Sequence, residues 1–458
     1  MKNITNYQNK KVLVVGLAKS GLNAAKLLKD LGAFVTVNDH KNIDDNPEAK
    51  ELLAEGIKVI TGGHPLSLLD EDFELVVKNP GIPYTNLLIA KAMEKGLPII
   101  TEPELAYEIS EAPMIGVTGT NGKTTTTTLI SLMLNQERKQ GRAFVAGNIG
   151  VPSVAVAKKA TKNDIIVAEL SSFQLCGIDK LKPEIAVITN IYEAHTDYHK
   201  TRENYVKAKM RITENQDSSD FLVVNWDLKE LRELAKTSSA NIVPFSRLDE
   251  IETGAYVKDG NIYYQNEFIM KSDEVNIPGE HNIENALAAI VTAKIKGVTN
   301  TAIQEVLSTF TGVRHRTQFV SAWHNRKFYN DSKATNIEAT EMAVKGFSNP
   351  IILLAGGLDR GFTFEKLVPV LKAHVKAMIV FGETADLMRN AGEAAGITQI
   401  KQVTDVVAAV PEAYKLSDNN DIILLSPAAA SWDQYPSFEV RGDKYIEAVE
   451  KLMQVEDK

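Results

Sequence analysis

Met114-Ile-Gly-Val-Thr-Gly-Thr-Asn-Gly-Lys-Thr-Thr125 decides the reading of this chain. A short apolar run ends in a glycine-rich turn, and Lys-Thr then opens a helical stretch. Strand, turn and helix in that order build a loop whose backbone N–H groups face phosphate, and the helix N-terminus adds a favourable dipole. Lys123 is placed to reach the β- and γ-phosphates of a nucleoside triphosphate, and the Thr124 hydroxyl to ligate Mg2+. Gly119, Thr120, Asn121, Gly122, Lys123, Thr124 and Thr125 therefore form the candidate nucleotide loop. The general template wants glycine where Val117 stands, and the plain alternative is a Gly/Thr-rich turn that caps a helix. Such a loop establishes only that a nucleotide is bound. Motors, kinases and ligases share it.

Outward from this loop, short β-branched runs alternate with helical stretches, the pattern of parallel sheets with crossover helices. Before it lie the strand Lys11–Gly16, a helix from Leu22 to Leu31, and the strands Phe34–Asn38, Leu75–Asn79 and Pro98–Thr101. After it come Ile165–Ala168, Ile185–Thr189 and Phe221–Val224. Residues 255–278 carry Gly260-Asn261 between apolar stretches, which predicts a small antiparallel hairpin, and a helix follows from Asn282 to Lys296. Past Phe310-Thr311-Gly312 stand Ile351–Ala355, Ala377–Phe381 and Ile422–Ser426. The expected fold is α/β in three domains: a Rossmann-like one over 1–101, a central P-loop ATPase-type sheet with helices over 102–312, and a Rossmann-like one over 313–458. The length of 458 residues agrees, at about 150 residues per domain.

Composition narrows the class. Hydrophobic residues make up 44% and charged residues 24%, the balance of a globular chain. Lys and Arg number 51 against 59 Asp and Glu, a formal net charge of −8, which argues against nucleic acid or an acidic membrane surface as partner. The single cysteine, Cys176, cannot form an intramolecular disulfide. The polar N-terminus precedes an apolar run too short for a signal peptide or a membrane span. A cytoplasmic protein without a membrane span is expected, working as a monomer.

A second glycine turn, Gly16-Leu-Ala-Lys-Ser-Gly21, follows a strand and opens a helix as a dinucleotide-binding turn would. Ala18 replaces the middle glycine and hinders close approach of a pyrophosphate, so a nicotinamide dinucleotide is weakly supported. Asp39, at the end of the next strand, sits where a ribose-binding acid would. The turn suits another nucleotide-linked ligand, or a plain structural βα connection.

Taken in order, seven segments resemble one family over nearly the whole chain: Gly119-Thr-Asn-Gly-Lys-Thr124, Gly147-Asn-Ile-Gly150, Glu169-Leu-Ser-Ser-Phe-Gln174, Gly279-Glu-His-Asn-Ile-Glu-Asn285, His315-Arg316, Asn330-Asp-Ser-Lys-Ala-Thr-Asn336 and Ser426-Pro-Ala-Ala-Ala-Ser431. Their order and spacing are similar to the Mur ligases, ATP-dependent amide-forming enzymes of peptidoglycan precursor synthesis. The Glu169 and Asn330 segments look most like the member that adds D-glutamate to UDP-N-acetylmuramoyl-L-alanine. The resemblance implies one domain for the UDP-sugar, a central ATPase domain and a C-terminal domain for the amino acid.

The chemistry is consistent with that division. A free carboxylate does not acylate an amine, because its leaving group would be oxide or hydroxide. As an acyl phosphate it loses phosphate (pKa ~6) instead of hydroxide (water pKa ~15.7), worth at most ~13 kcal/mol of activation. ATP, metal and two substrate pockets follow.

By resemblance, Lys123 cradles the γ-phosphate, and Thr124 and Glu169 hold one of two Mg2+ ions. His195 and a carbamate on Lys209 hold the second. Read alone, His195 is an ordinary loop histidine and Lys209 an ordinary helix lysine. For adenine and ribose the resemblance points to Asn282, Asn285, Arg316 and Asp331, with Lys333 nearby. Asn282 and Asn285, three apart on a predicted helix, share one face. For the UDP-sugar it points to Lys19, Ser20, Asp39, Gly81, Asn148 and Ser171, with His40 where the family often has a small hydroxyl residue. For D-glutamate it points to Thr335, Ser431, Phe438 and Arg360, the last where some members carry Lys. A related ligase, of the folylpolyglutamate type or another amino-acid-adding Mur type, remains the alternative. Different in class are a dinucleotide oxidoreductase, which rests on the Gly16 turn alone, and a nucleotide-binding module without turnover.

Overall fold

Residues Met1–Glu456 are described by a computed structural model. By internal contacts they form two compact units, Met1–Ser272 with Glu284–Val306, and Asp273–Ile283 with the chain from Leu307 onward. Three sheets with helices between their strands make the fold α/β.

In the first unit, five parallel strands lie in the order Lys58–Ile60, Phe34–Asn38, Lys11–Val15, Leu75–Lys78, Ile99–Ile100. Helix Lys19–Asp30 packs Gly21, Ala24, Ala25, Leu27 and Leu28 against this sheet. It can start so close to the strand end because residue 21 has no side chain: a Cβ there would stand 2.0 Å from Gly16 O.

The same unit holds nine strands in the order Glu267–Lys271, Asn261–Tyr264, Ala255–Lys258, Asn241–Ser246, Phe221–Asn225, Ile185–Ile188, Met114–Thr118, Ile165–Glu169, Ala143–Gly147. Met114–Thr118 is buried throughout, as a strand covered on both faces must be. Its neighbours run parallel to it, with Val117 beside Val187 and Glu169. The segments after these three strands, beginning at Gly119, Leu170 and Thr189, therefore emerge at one end of the sheet, where α/β proteins place their ligands. Helix Lys123–Gln136 then buries Leu129, Ile130 and Met133 completely. Truncating any of them to alanine costs about 2–5 kcal/mol.

The expected hairpin is present, but its turn is Asp259-Gly260, not Gly260-Asn261. Both turn residues have positive φ (47° and 74°), and Asn261 already pairs with Lys258. That is the twist-matched two-residue turn.

In the second unit, six strands lie in the order Gln318–Trp323, Arg326–Asn330, Ile422–Leu425, Ile351–Gly356, Val375–Phe381, Ile400–Gln402. Only the first pairing is antiparallel. Every strand expected from the sequence is present. Those not anticipated are Lys58–Ile60, Ala143–Gly147, Asn241–Ser246, Gln318–Trp323, Arg326–Asn330 and Ile400–Gln402. Among the described residues no helix is long and apolar enough to cross a membrane.

Candidate active site

The glycine loop is held from several sides. Gly119 takes φ 154°, and a Cβ there would strike Thr189 Oγ1 at 1.9 Å. Gly122 is left-handed (φ 82°) as the residue before the helix, and a Cβ there would meet Asn285 Oδ1 at 2.1 Å. Asn190 Oδ1 accepts from Asn121 N (2.9 Å), and Thr189 Oγ1 donates to Asn121 O (2.6 Å). Thr120 Oγ1 meets the Tyr205 hydroxyl at 3.0 Å. Lys123 Nζ folds back onto the carbonyls of Gly119 (2.8 Å) and Thr120 (2.9 Å).

Beside the loop, Glu169 is fully buried at the end of its strand. Thr124 Oγ1 donates to its Oε2 (2.7 Å) and Asn148 Nδ2 to its Oε1 (2.9 Å). Asn148, expected at the UDP-sugar, thus bonds the candidate metal carboxylate. Ser171 caps the helix Ser172–Leu175 in a reciprocal capping box with Gln174. Lys209 is buried, its Nζ donating to Gly119 O (2.7 Å) and lying 4.7 Å from the Tyr205 ring. Burial, and then Lys123 nearby, push its ammonium well below the ordinary lysine value, with Glu169 opposing. His195 flanks the same Tyr205 ring (6.1 Å) and rests edge-on against Phe173 (4.9 Å), in a left-handed backbone conformation (φ 55°). The first unit therefore assembles Lys123, Thr124, Glu169, Asn148, Lys209 and His195 around one loop. Among the described residues no group of three or more His, Cys, Asp and Glu side chains is poised to hold a metal ion.

The Gly16 turn lies in the five-stranded sheet. Lys19 is exposed and Ser20 half-buried at the start of its helix. Asp39 is nearly buried and spends its oxygens locally, accepting from Leu17 N (2.6 Å), Lys41 N (2.9 Å) and Asn46 Nδ2 (3.2 Å). Its contacts shape the turn. Gly81 N donates to Asn79 Oδ1 at 3.2 Å.

Two residues the sequence did not flag organise this region. Lys78 is fully buried at a strand end, and its Nζ faces the carbonyls of Asn79 (3.2 Å), Pro80 (3.2 Å) and Ile82 (2.7 Å) and the Tyr198 hydroxyl (3.1 Å). Burial pushes its ammonium down to about 8. Tyr198 packs edge-on against Phe173 (4.5 Å), the ring that also supports His195. A lysine closing the apolar run Leu75-Val-Val-Lys78 was the one available signal; nothing in sequence joins it to residue 198.

The second unit holds the remaining candidates. Asp331 is wholly buried, accepting from Ser426 Oγ (2.8 Å) and Thr317 N (3.0 Å), and burial pushes its carboxyl up to about 6. Arg316 keeps a buried Nε with no hydrogen-bond partner. Asn282 Nδ2 donates to Pro278 O (2.6 Å), and Asn282 lies in helix Glu280–Ile295, as does Asn285. Lys333 Nζ lies 5.6 Å from the Phe438 ring. Thr335 and Arg360 line one pocket with Leu358, Phe362, Thr384 and Ala428. Ser431 is buried with its Oγ unpartnered, while Trp432 beside it is 66% exposed. An orphaned buried hydroxyl calls for a ligand or water.

A phosphate loop held against a buried acid at one end of a mostly parallel sheet defines a nucleotide-binding α/β protein. Family profiles place it: the Mur ligase MurD-like N-terminal domain matches residues 10–101, the Mur ligase middle domain 117–293, and the Mur ligase glutamate ligase domain 315–429. The chain belongs to the Mur ligase family. It is 63% identical to UDP-N-acetylmuramoylalanine–D-glutamate ligase of Lactiplantibacillus plantarum and 65% identical to that of Ligilactobacillus salivarius, over 99% of this chain and 98% of each relative. The protein of the same name from Listeria innocua is 58% identical over both full lengths. Among solved structures, the UDP-N-acetylmuramate–alanine ligase of Thermotoga maritima matches with a TM-score of 0.58 at 18% identity, covering 96% of this chain and 99% of that one. The MurF ligase of the same organism, in complex with ADP, matches at 0.58 and 16%, covering 99% and 98%. At these identities the structural likeness speaks for fold alone.

Proposed function

We propose that the chain joins D-glutamate to UDP-N-acetylmuramoyl-L-alanine at the expense of ATP, releasing ADP and phosphate, as the names of its high-identity relatives indicate. One observation carries the reading: Thr124 and Asn148 grip the two oxygens of the buried Glu169 directly behind the phosphate loop. We assign the UDP-sugar to residues 1–101, ATP to 102–312 and the amino acid to 313–458, in a monomer working in the cytoplasm.

The UDP-sugar's terminal carboxylate attacks the γ-phosphorus and ADP leaves. The D-glutamate amine, having lost a proton, then attacks the acyl carbon and phosphate leaves. Lys123, with the N–H groups of Gly119–Thr125, holds the transferring charge. Arg316, Asp331, Lys333, Asn282 and Asn285 are assigned to adenine and ribose, and Thr335, Arg360, Ser431 and Phe438 to D-glutamate. Two Mg2+ ions would offset charge between the reacting anions. Glu169 and Thr124 supply the hard oxygen donors that one ion wants. His195 and a carbamylated Lys209 would hold the other. The fit rests on an amine that burial has already biased toward its neutral, CO2-reactive form.

Phosphate release tests this directly. It should require both UDP-N-acetylmuramoyl-L-alanine and D-glutamate, with L-glutamate and L-lysine near background. Release with another amino acid in place of D-glutamate would assign the chain to a related ligase, and ATP binding without substrate-dependent release would end the enzyme reading.

Lys78 adds a pH prediction. Its ammonium ties down Asn79-Pro-Gly-Ile82, the segment that holds Gly81 of the proposed UDP-sugar site, and it is mostly cationic only below about pH 8. Deprotonation releases the carbonyls, so the KM for the UDP-sugar should rise above that pH. Lys78→Met should show a KM raised about tenfold, the loss of ~1.4 kcal/mol, and no such step. A KM profile unchanged by the substitution would remove Lys78 from substrate binding.

A further inference from the structure

Arg441, in helix Phe438–Glu456, has no accessible surface. Its Nε donates to Ser332 Oγ (3.0 Å), its Nη2 to Ser332 O (2.9 Å) and Ala429 O (3.0 Å), and its Nη1 faces Gly356 O (3.3 Å). These oxygens sit on three separate segments. Ser332 begins the stretch that carries Thr335, Gly356 ends the strand that leads to Arg360, and Ala429 lies two residues before Ser431. Ser332 Oγ passes the connection on, donating to Phe438 O at 2.8 Å. One side chain thus touches every segment to which D-glutamate is assigned.

The backbone is fitted to that side chain. At Gly357 a Cβ would lie 2.2 Å from Ala430 O and 3.0 Å from Arg441 Nη1, so the Gly356-Gly357 turn packs directly on the guanidinium. None of the four hydrogen bonds reaches a carboxylate. A buried cation hydrogen-bonded only to carbonyls and a hydroxyl is costly for the fold by itself. Burial pushes the guanidinium down to about 10, with Asp433 opposing from beyond contact. The guanidinium lies immediately behind Ala429, which lines the same pocket as Thr335, Asp359 and Arg360. A planar fork is needed: lysine has one nitrogen and cannot span three segments.

We propose that Arg441 is the positioning residue of the amino-acid pocket, fixing the three segments in register and biasing the pocket, through its buried charge, toward an amino acid with two carboxylates. The inference rests on the assignment of D-glutamate to Thr335, Arg360 and Ser431. Arg441 acts on the substrate only through those residues.

The test uses the full chain, with the KM for each substrate measured while the other two are saturating, in Arg441→Lys, Arg441→Gln, Ser332→Ala and, as the pocket reference, Ser431→Ala. Arg441→Lys should raise the KM for D-glutamate about tenfold and Arg441→Gln about a hundredfold, with the KM for ATP within about twofold. Arg441→Gln should also lose at least about tenfold in its preference for D-glutamate over D-glutamine. Ser332→Ala, the mildest change, should move the D-glutamate KM in the same direction by about threefold, and it carries the test if neither Arg441 variant folds. The inference is overturned if the D-glutamate KM stays at the wild-type value while Ser431→Ala raises it, or if the KM values for ATP and D-glutamate rise together. A shift in the Arg441 variants with none in Ser431→Ala supports the positioning role and removes Ser431 from the pocket.

Discussion

Lys123→Ala leaves the chain folded and nearly abolishes phosphate release. The lysine is half-buried and its side chain meets the loop's own carbonyls, Gly119 O and Thr120 O, so truncation opens no cavity in the core. In the proposed reaction the same ammonium would turn from those carbonyls to the phosphoryl group in transfer. Removing a preorganised charge at that position costs about 3–4 kcal/mol, or about 10²–10³-fold in kcat. Thermal unfolding should stay within a few degrees of the parent. A variant that retains more than about a tenth of the parent rate has lost only ~1.4 kcal/mol and takes Lys123 out of the role.

Lys209→Ala is expected to be nearly as damaging, for a different reason. Lys209 and Lys123 both donate to Gly119 O, which brings two cations onto one carbonyl beside Glu169. As an ammonium, Lys209 adds repulsion and offers no ligand. In the proposed carbamate the neutral amine would react with CO2, forming an N–C bond and losing one proton to solvent, and the charge at that point would become negative with oxygen donors. Because its ammonium is held below the usual lysine range, the neutral form is populated at lower pH than in an exposed lysine. Activity at the acid end of the profile should therefore recover on adding bicarbonate. The alanine variant should lose about a hundredfold or more and regain part of it with acetate, which restores an oxygen anion to the vacated volume. Near-parent activity of the variant in CO2-depleted buffer, or an intact mass without the added CO2 in a gently handled sample whose rate ignores bicarbonate, rules the carbamate out.

The glycine loop was legible because its signals are local: Gly119 and Gly122 have the conformations that demand glycine, and Lys123 opens the helix. Long apolar strands were legible for the same reason. The unanticipated hairpin from Gln318 to Asn330 turns on His324-Asn325, both at positive φ (48° and 58°) without a glycine to mark them. Ala143–Gly147 carries two alanines and a glycine, a composition poor in strand formers. Lys58–Ile60 and Ile400–Gln402 are only three residues long. At the site, the resemblance supplied residue types in order, but partners came only from the fold. Asn148 meets Glu169 across 21 positions, Lys78 meets Tyr198 across 120, and Arg441 meets Ser332 across 109. No pattern along the chain encodes contacts of that span.

Trp432 stands two-thirds in water, one residue from a serine hydroxyl that water does not reach. The other two tryptophans, Trp226 and Trp323, are half-buried. An indole so placed emits to the red, and its colour and brightness respond to any solute that displaces the water on its face. If Ser431 serves D-glutamate as proposed, an exposed fluorophore stands next to it in the chain. Occupation of Ser431 would then be followed in the unlabelled protein, in the absence of catalysis, as a change in the emission of Trp432.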